Sequence, residues 1–126
     1  MAFVVLGWPG HPERLWEHQL RHLSQRARLL ILAACDSGSV EALNFEGGFG
    51  MSRAALAAGA RAVLAARWPI RDPDAERTIS YLYPGLFKTG GAWTVAEAVR
   101  TAQLRTMNTS PHPFSWAGLG LIGDPR

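Results

Sequence analysis

Two apolar runs of strand length, residues 28–34 (RLLILAA) and 61–68 (RAVLAARW), constrain this chain more than any other feature. A strand with one wet face alternates apolar and polar residues, whereas a strand covered on both faces, as in a parallel sheet, is apolar almost throughout. A parallel pair needs a crossover of a dozen or more residues, and residues 51–58 between the runs have helical character. Gly59 is well placed to end that helix in the left-handed conformation. The expectation is an α/β domain in which residues 28–34 and 61–67 are adjacent parallel strands joined by a right-handed crossover.

The other elements follow from period and punctuation. Residues 2–7 (AFVVLG) read as a strand ended by Trp8-Pro9-Gly10, and residues 12–23 as a helix with Leu15, Trp16, Gln19, Leu20 and Leu23 on one face. Residues 44–50 (NFEGGFG) read as a glycine-rich loop leading into the helix at 51–58. Asp72 supplies an N-cap candidate and Pro73 a first-turn proline for a helix with Ile79, Leu82, Tyr83 and Leu86 on one stripe. Pro84 should kink or stop it near Tyr83. Thr94 to Glu97 is a capping box, with Trp93 and Ala98 placed as its staple, for a helix ending near Met107. Residues 108–113 form a polar loop and residues 116–123 (WAGLGLIG) a last strand. With no internal repeat or linker, residues 1–126 are expected to form one domain.

Composition narrows the function classes. A hydrophobic share of 48% with 18% charged residues belongs to a folded globular chain. One cysteine rules out an internal disulfide framework, and no apolar run approaches the about 20 residues of a membrane span. Residues 1–8 make a poor signal peptide, so a reducing cytoplasm fits best and no membrane partner is expected. The net charge of +3 is spread along the chain without a reader motif, which argues against a nucleic-acid partner. Gly47, Gly48 and Gly50 are not followed by a Gly-Lys-Ser/Thr and lack dinucleotide spacing, so no nucleotide cofactor is expected. His18 and His22 stand at i, i+4 but outside any His-Glu-x-x-His pattern, and a solvated helix face is preferred to a metal site.

Cys35 stands at the carboxyl end of the first buried strand and opens the turn Cys35-Asp36-Ser37-Gly38-Ser39. Ligands and catalytic groups of open α/β sheets gather outside the carboxyl ends of the strands. A free cysteine also serves as a small buried hydrophobe, and position alone leaves both roles open. Asp36 either favours a basic substrate side chain or caps its turn. Trp68, at the end of the neighbouring strand, either walls a substrate pocket or belongs to the core.

The segment from Leu29 to Gly38 (LLILAACDSG) resembles the nucleophile segment of the CHAT family, caspase-like cysteine peptidases related to separases. Further matches follow in order: Glu46-Gly47, Leu56 to Arg61, Trp68-Pro69 with Asp72, Ala96 to Arg100, His112 to Ala117, and Gly123-Asp124-Pro125. The resemblance runs from about Arg28 to the C-terminus and is looser over residues 2–23. It implies a three-layer caspase-like fold, with a mostly parallel sheet flanked by helices. It also implies peptide-bond hydrolysis by Cys35, with Asp36, Ser37, Gly38 and Trp68 meeting a peptide or protein substrate.

Such a nucleophile needs a base, because a free thiol with a pKa near 8.5 is only a few per cent thiolate at neutral pH. The family presents a histidine in a His-Gly segment on the preceding strand, and this sequence has no His-Gly. The expectation is therefore the C-terminal half of a CHAT domain, its N-terminal part missing and the chain by itself inactive. The rival is a non-enzymatic interaction module with a degenerate caspase-like fold. Among the histidines, His18 and His22 are expected at the far end of the sheet and His112 away from the cleft, leaving His11 the one route to Cys35. The cysteine strand would lose a neighbour, so residues 2–7, a second copy of the chain or the missing half should cover its edge.

Overall fold

The computed structural model describes residues 3–8, 10–23, 26–33, 45–87, 94–124 and 126. In chain order the elements are β1 (Phe3–Trp8), β2 (His11–Trp16), α1 (Glu17–His22), β3 (Leu29–Leu32), α2 (Phe45–Ala57) and β4 (Ala62–Ala66). They are followed by α3 (Asp72–Leu86), α4 (Val95–Thr109), α5 (Pro113–Trp116) and β5 (Leu119–Gly123).

As the two apolar runs predict, β3 and β4 are parallel neighbours, in register from Leu29↔Ala62 to Leu32↔Ala65. On the other side of β4 lies β5, antiparallel, from Ala62↔Gly123 to Ala66↔Leu119. The result is a mixed three-stranded sheet of order β3-β4-β5, and β1 with β2 forms a separate antiparallel hairpin.

Side chains alternate across a strand, so each run feeds both faces of the sheet. Leu29, Ile31, Leu64, Ala66, Leu119 and Leu121 pack with Ala75 and Leu82 of α3 and Val95, Val99 and Ala102 of α4. Leu30, Leu32, Val63 and Ala65 pack with Leu20 of α1 and Met51, Ala54 and Ala55 of α2. This is an α/β architecture with helices on both faces.

Helix ends follow local chemistry. Gly59 has φ +106, its N–H bonds the Leu56 carbonyl at 3.0 Å and the Ala60 N–H bonds that of Ala55 at 3.1 Å, which closes α2 in a Schellman motif. Thr94 Oγ1 accepts from the Glu97 N–H at 3.2 Å while Glu97 Oε2 accepts from the Thr94 N–H at 2.8 Å, the expected capping box of α4. Trp93 of the expected staple lies outside the described residues.

Several expected boundaries are corrected. Residues 12–23 are not one helix: residues up to Trp16 pair with β1, from Phe3↔Trp16 to Trp8↔His11, and only Glu17–His22 is helical. Gly10, at φ +90, supplies the reversal that lets the hairpin form, and cross-strand pairing overrides the helical spacing of Leu15 and Trp16. The glycine-rich stretch is not a loop, since α2 already begins at Phe45. A Cβ on Gly50 would lie 2.7 Å from a Glu17 carboxylate oxygen, so the glycine serves close approach of α2 to α1.

Arg71, not Asp72, is the N-cap of α3, with no side-chain cap bond. The helix also passes Pro84 to end at Leu86, because a proline in the last turn forfeits one hydrogen bond while fully buried Leu82 and half-buried Leu86 hold that turn to the core. The last strand begins at Leu119, and Trp116 instead ends α5, its indole N–H bonded to the Pro111 carbonyl at 3.1 Å. Residues 2–7 were one expected cover for the cysteine strand, yet Phe3 to Gly7 pair with β2, whose backbone satisfies them locally. Among the described residues, β3 has a strand on its β4 side only.

Candidate functional site

Parallel pairing sends the chain out of β3 and β4 at the same end of the sheet, so Ala33 and Arg67 leave side by side. The antiparallel course of β5 brings a third segment there, because the chain before Leu119 must lie at the carboxyl end of β4. Cys35, Asp36, Ser37 and Gly38 lie outside the described residues. Cys35 follows Ala33 by two residues, a length of chain that spans at most about 7 Å.

Trp68 is half-buried at this end and packs against the α3 and α4 side of the sheet. Its Nε1–H donates to the Phe114 carbonyl at 2.9 Å, and the two rings stack with centroids 5.9 Å apart. The fit is close: a Cβ on Gly118 would come 2.4 Å from Ile70 Cδ1 and 3.1 Å from Trp68 Nε1. Trp68 is thus a fixed wall between sheet and α5, and Phe114 beside it is 44% exposed.

A buried carboxylate holds this wall's supports together. Asp74, in the first turn of α3, accepts from Arg71 Nε and Nη2 at 3.0 and 2.8 Å, from Arg77 Nη1 at 3.2 Å and from Ser110 Oγ at 3.2 Å. Burial by itself would raise its pKa, but hydrogen bonds from Ser115, Arg71 and Ser110, with the charge of Arg71, outweigh that and hold the carboxyl below its usual range. Ser110 caps the end of α4 and Ser115 belongs to α5, so one side chain ties together three helices around Phe114. Beneath it the buried hydroxyls of Thr78 and Thr106 lie 2.9 Å apart, so that one donates to the other and the accepting one donates to the carbonyl four residues before it, Asp74 or Ala102. Sequence reasoning missed Asp74; its signal is an acid with arginines three residues before and after it.

The histidines fall only partly as expected. His112, expected away from the cleft, caps α5, its Nδ1 accepting the Phe114 N–H at 3.2 Å, and the Cys35 segment against which that expectation is set lies outside the described residues. That bond assigns the proton of the neutral ring to Nε2. His11 does not begin a helix; it begins β2, opposite Trp8. His18 and His22 line a shallow depression on α1 with Glu17 and Arg21, which pair at 3.4 Å. No group of three or more His, Cys, Asp or Glu positioned to hold a metal occurs among the described residues.

The amino end of β4 is closed by charge. Arg61 Nη2 and Arg126 Nε each lie 2.9 Å from Asp124, which Arg126 and Arg61 hold far below the usual carboxylate pKa. No helix among the described residues is long and apolar enough to cross a membrane.

A family model described as CHAT domain matches residues 3–124, reaching through the hairpin that the sequence motifs cover only loosely. No curated protein and no solved structure matches the chain.

Proposed function

The chain belongs to the CHAT-domain family, and from that premise we propose that it carries the nucleophile of a caspase-like cysteine peptidase domain and does not cleave peptides by itself. The observation that supports this reading is the shared exit of β3 and β4, which starts the two-residue path to Cys35 at the end where Trp68 and Phe114 stand. In the intact, three-layer caspase-like domain the Cys35 thiolate attacks the scissile carbonyl and the Cys35 amide helps hold the oxyanion. The amine leaves with a proton from the base, and water then hydrolyses the thioester. Asp36, Ser37 and Gly38, beside the nucleophile in sequence, meet the substrate backbone, and Trp68 walls the cleft.

In this reading no histidine among the described residues serves Cys35 as its base. His112 stands at the right end, but its Nδ1 is committed to the α5 cap and its Nε2 carries the proton, the wrong arrangement for accepting one from sulfur. This commitment also favours the second reading, an interaction module that keeps the fold without the chemistry. A further strand, from the domain's N-terminal half or from a second copy, pairs with the half-buried edge of β3 in either reading.

Peptide turnover by the protein encoded with its upstream reading frame, compared with this chain and with Cys35→Ala, tests the proposal. Turnover in the longer protein, lost on Cys35→Ala and absent from the short chain, is the expected result. An upstream frame without a His-Gly segment and no turnover in any form would leave the interaction module. Turnover by the short chain would overturn the claim of inactivity.

A further inference from the structure

Helix α5 is a single turn, and its first open amide is satisfied by an uncommon group. Pro113 at the first helical position has no N–H, and the Ser115 N–H reaches the His112 carbonyl at 2.9 Å, so the Phe114 N–H is the donor left to cap. His112 Nδ1 accepts it at 3.2 Å. Helix N-caps are ordinarily Ser, Thr, Asp or Asn, whose side-chain oxygens accept throughout the neutral range. An imidazole accepts only while neutral, because in the imidazolium both ring nitrogens are donors.

The capped residue is also the partner of Trp68. Phe114 offers its carbonyl to the Trp68 Nε1–H at 2.9 Å and its ring to the indole at 5.9 Å between centroids. The chain on either side is fastened independently of the cap. Before it, the Pro111 carbonyl accepts from Trp116 Nε1–H at 3.1 Å, and after it Ser115 is buried and bonded to Asp74. His112, Pro113 and Phe114 are exposed between these anchors, so they can shift without disturbing the core. We propose that these three residues form a proton-sensitive latch: neutral His112 holds Phe114 against Trp68, and protonation of His112 releases it. Histidine is the side chain that ordinarily changes charge between about pH 8 and 5, so the latch is closed in neutral solution and opens in acid.

The charged groups nearby do not take over this role. No other titratable side chain belongs to α5. On the α3 side, Asp74 reaches Ser110 and Ser115 but is already paired with Arg71 and Arg77, while Asp72 and Glu76 are exposed. On α4, Arg105 lies over the Tyr81 ring, Arg100 is exposed, and Glu97 is held in the Thr94 cap at the opposite end of the helix. Arg67, whose N–H bonds the Gly118 carbonyl, lies against Gly120. The Thr94 amide and hydroxyl hold Glu97, and the bonds described above hold Asp74 against its burial, below the ordinary carboxylate range, so neither titrates where the latch does. The latch does not depend on the peptidase reading.

NMR of the isotope-labelled chain across that pH range tests it, reading the Phe114 amide, the Trp68 indole N–H and the His112 ring in the native chain, His112→Asn and His112→Ala. Asparagine keeps a cap acceptor that does not titrate. In the native chain both N–H signals are expected to move with the midpoint of the His112 ring. The Phe114 amide should also lose about fivefold in exchange protection, corrected for the intrinsic rate, which is the worth of one N-cap. In His112→Asn both signals should stay at their closed positions throughout, and in His112→Ala at their open positions. The asparagine variant decides the matter even where the alanine variant does not fold. A Trp68 indole that stays fixed while the His112 ring titrates, or one that still titrates in His112→Asn, overturns the proposal.

Discussion

The two helical layers of this sheet are built on different principles. The α3 and α4 layer buries large aliphatic side chains, Leu64, Leu82 and Val95 at 1% exposure or less, and adds the Asp74 and Thr78–Thr106 hydrogen bonds. Among the described side chains, the α1 and α2 layer buries mainly alanines, with Leu20 and Met51 its larger contributions, and gains its contacts by close approach. A layer of large, interlocked side chains resists displacement, whereas one of small side chains depends on backbone proximity. Trp68 is attached to the first layer, and the chain leading to Cys35 departs from the strand that joins both.

Substitutions can break this contrast, beginning with the interlocked layer. Leu82→Ala removes a fully buried side chain and should cost about 3 kcal/mol, read as a lower midpoint in urea. Loss below 1 kcal/mol would mean that this layer repacks freely. Asp74→Asn leaves two arginines and two serines with a poorer acceptor and should cost about 2 kcal/mol by the same measurement.

The acid limb of the stability curve checks the same residue. The Asp74 carboxyl titrates lower in the folded chain than in the unfolded one, so its contribution is complete above its unfolded pKa, about 4, and is lost as pH falls through the lower folded value. Below about pH 4 the native chain should therefore lose stability more steeply than Asp74→Asn. Equal slopes would count against the carboxylate clamp.

Smaller effects sharpen the comparison. Gly118→Ala meets buried Ile70 and should cost about 2 kcal/mol by overpacking, with a shift in Trp68 fluorescence. Thr94→Ala removes the α4 cap and should cost about 1 kcal/mol of thermal stability. Gly50→Ala, in the other layer, meets only the end of the Glu17 side chain, which can move, while alanine favours the helix by about 1 kcal/mol. Its net change should stay within about 0.5 kcal/mol. A large loss there would show that the glycine layer is as tightly interlocked as the other.

Much of this was legible in the chain itself. The apolar runs announced β3 and β4 and their parallel pairing, because burial on both faces leaves a composition signal that no local context can disguise. Gly59 and the Thr94–Glu97 box announced helix ends for the same reason, their chemistry being complete within a few residues. The family was legible in the motif order from Leu29 onward, and the match to residues 3–124 bears it out. Of the candidate site residues, Trp68 is described, seated between sheet and α5, whereas the Cys35 to Gly38 turn lies beyond the described residues.

What the sequence by itself determined was the set of elements whose signals are local: two apolar strands, of which β4 is buried and β3 only half-buried against the expected core position, a crossover helix, two capped helix ends and the family. Tertiary structure alone decided whether residues 11–16 pair as a strand or coil as a helix, since Leu15 and Trp16 satisfy either period until β1 supplies a partner. It likewise decided the antiparallel course of β5 and the close approach of Arg67 to Gly120. These depend on residues far apart in sequence meeting in space, and no spacing rule along one segment encodes a contact whose other half lies in another.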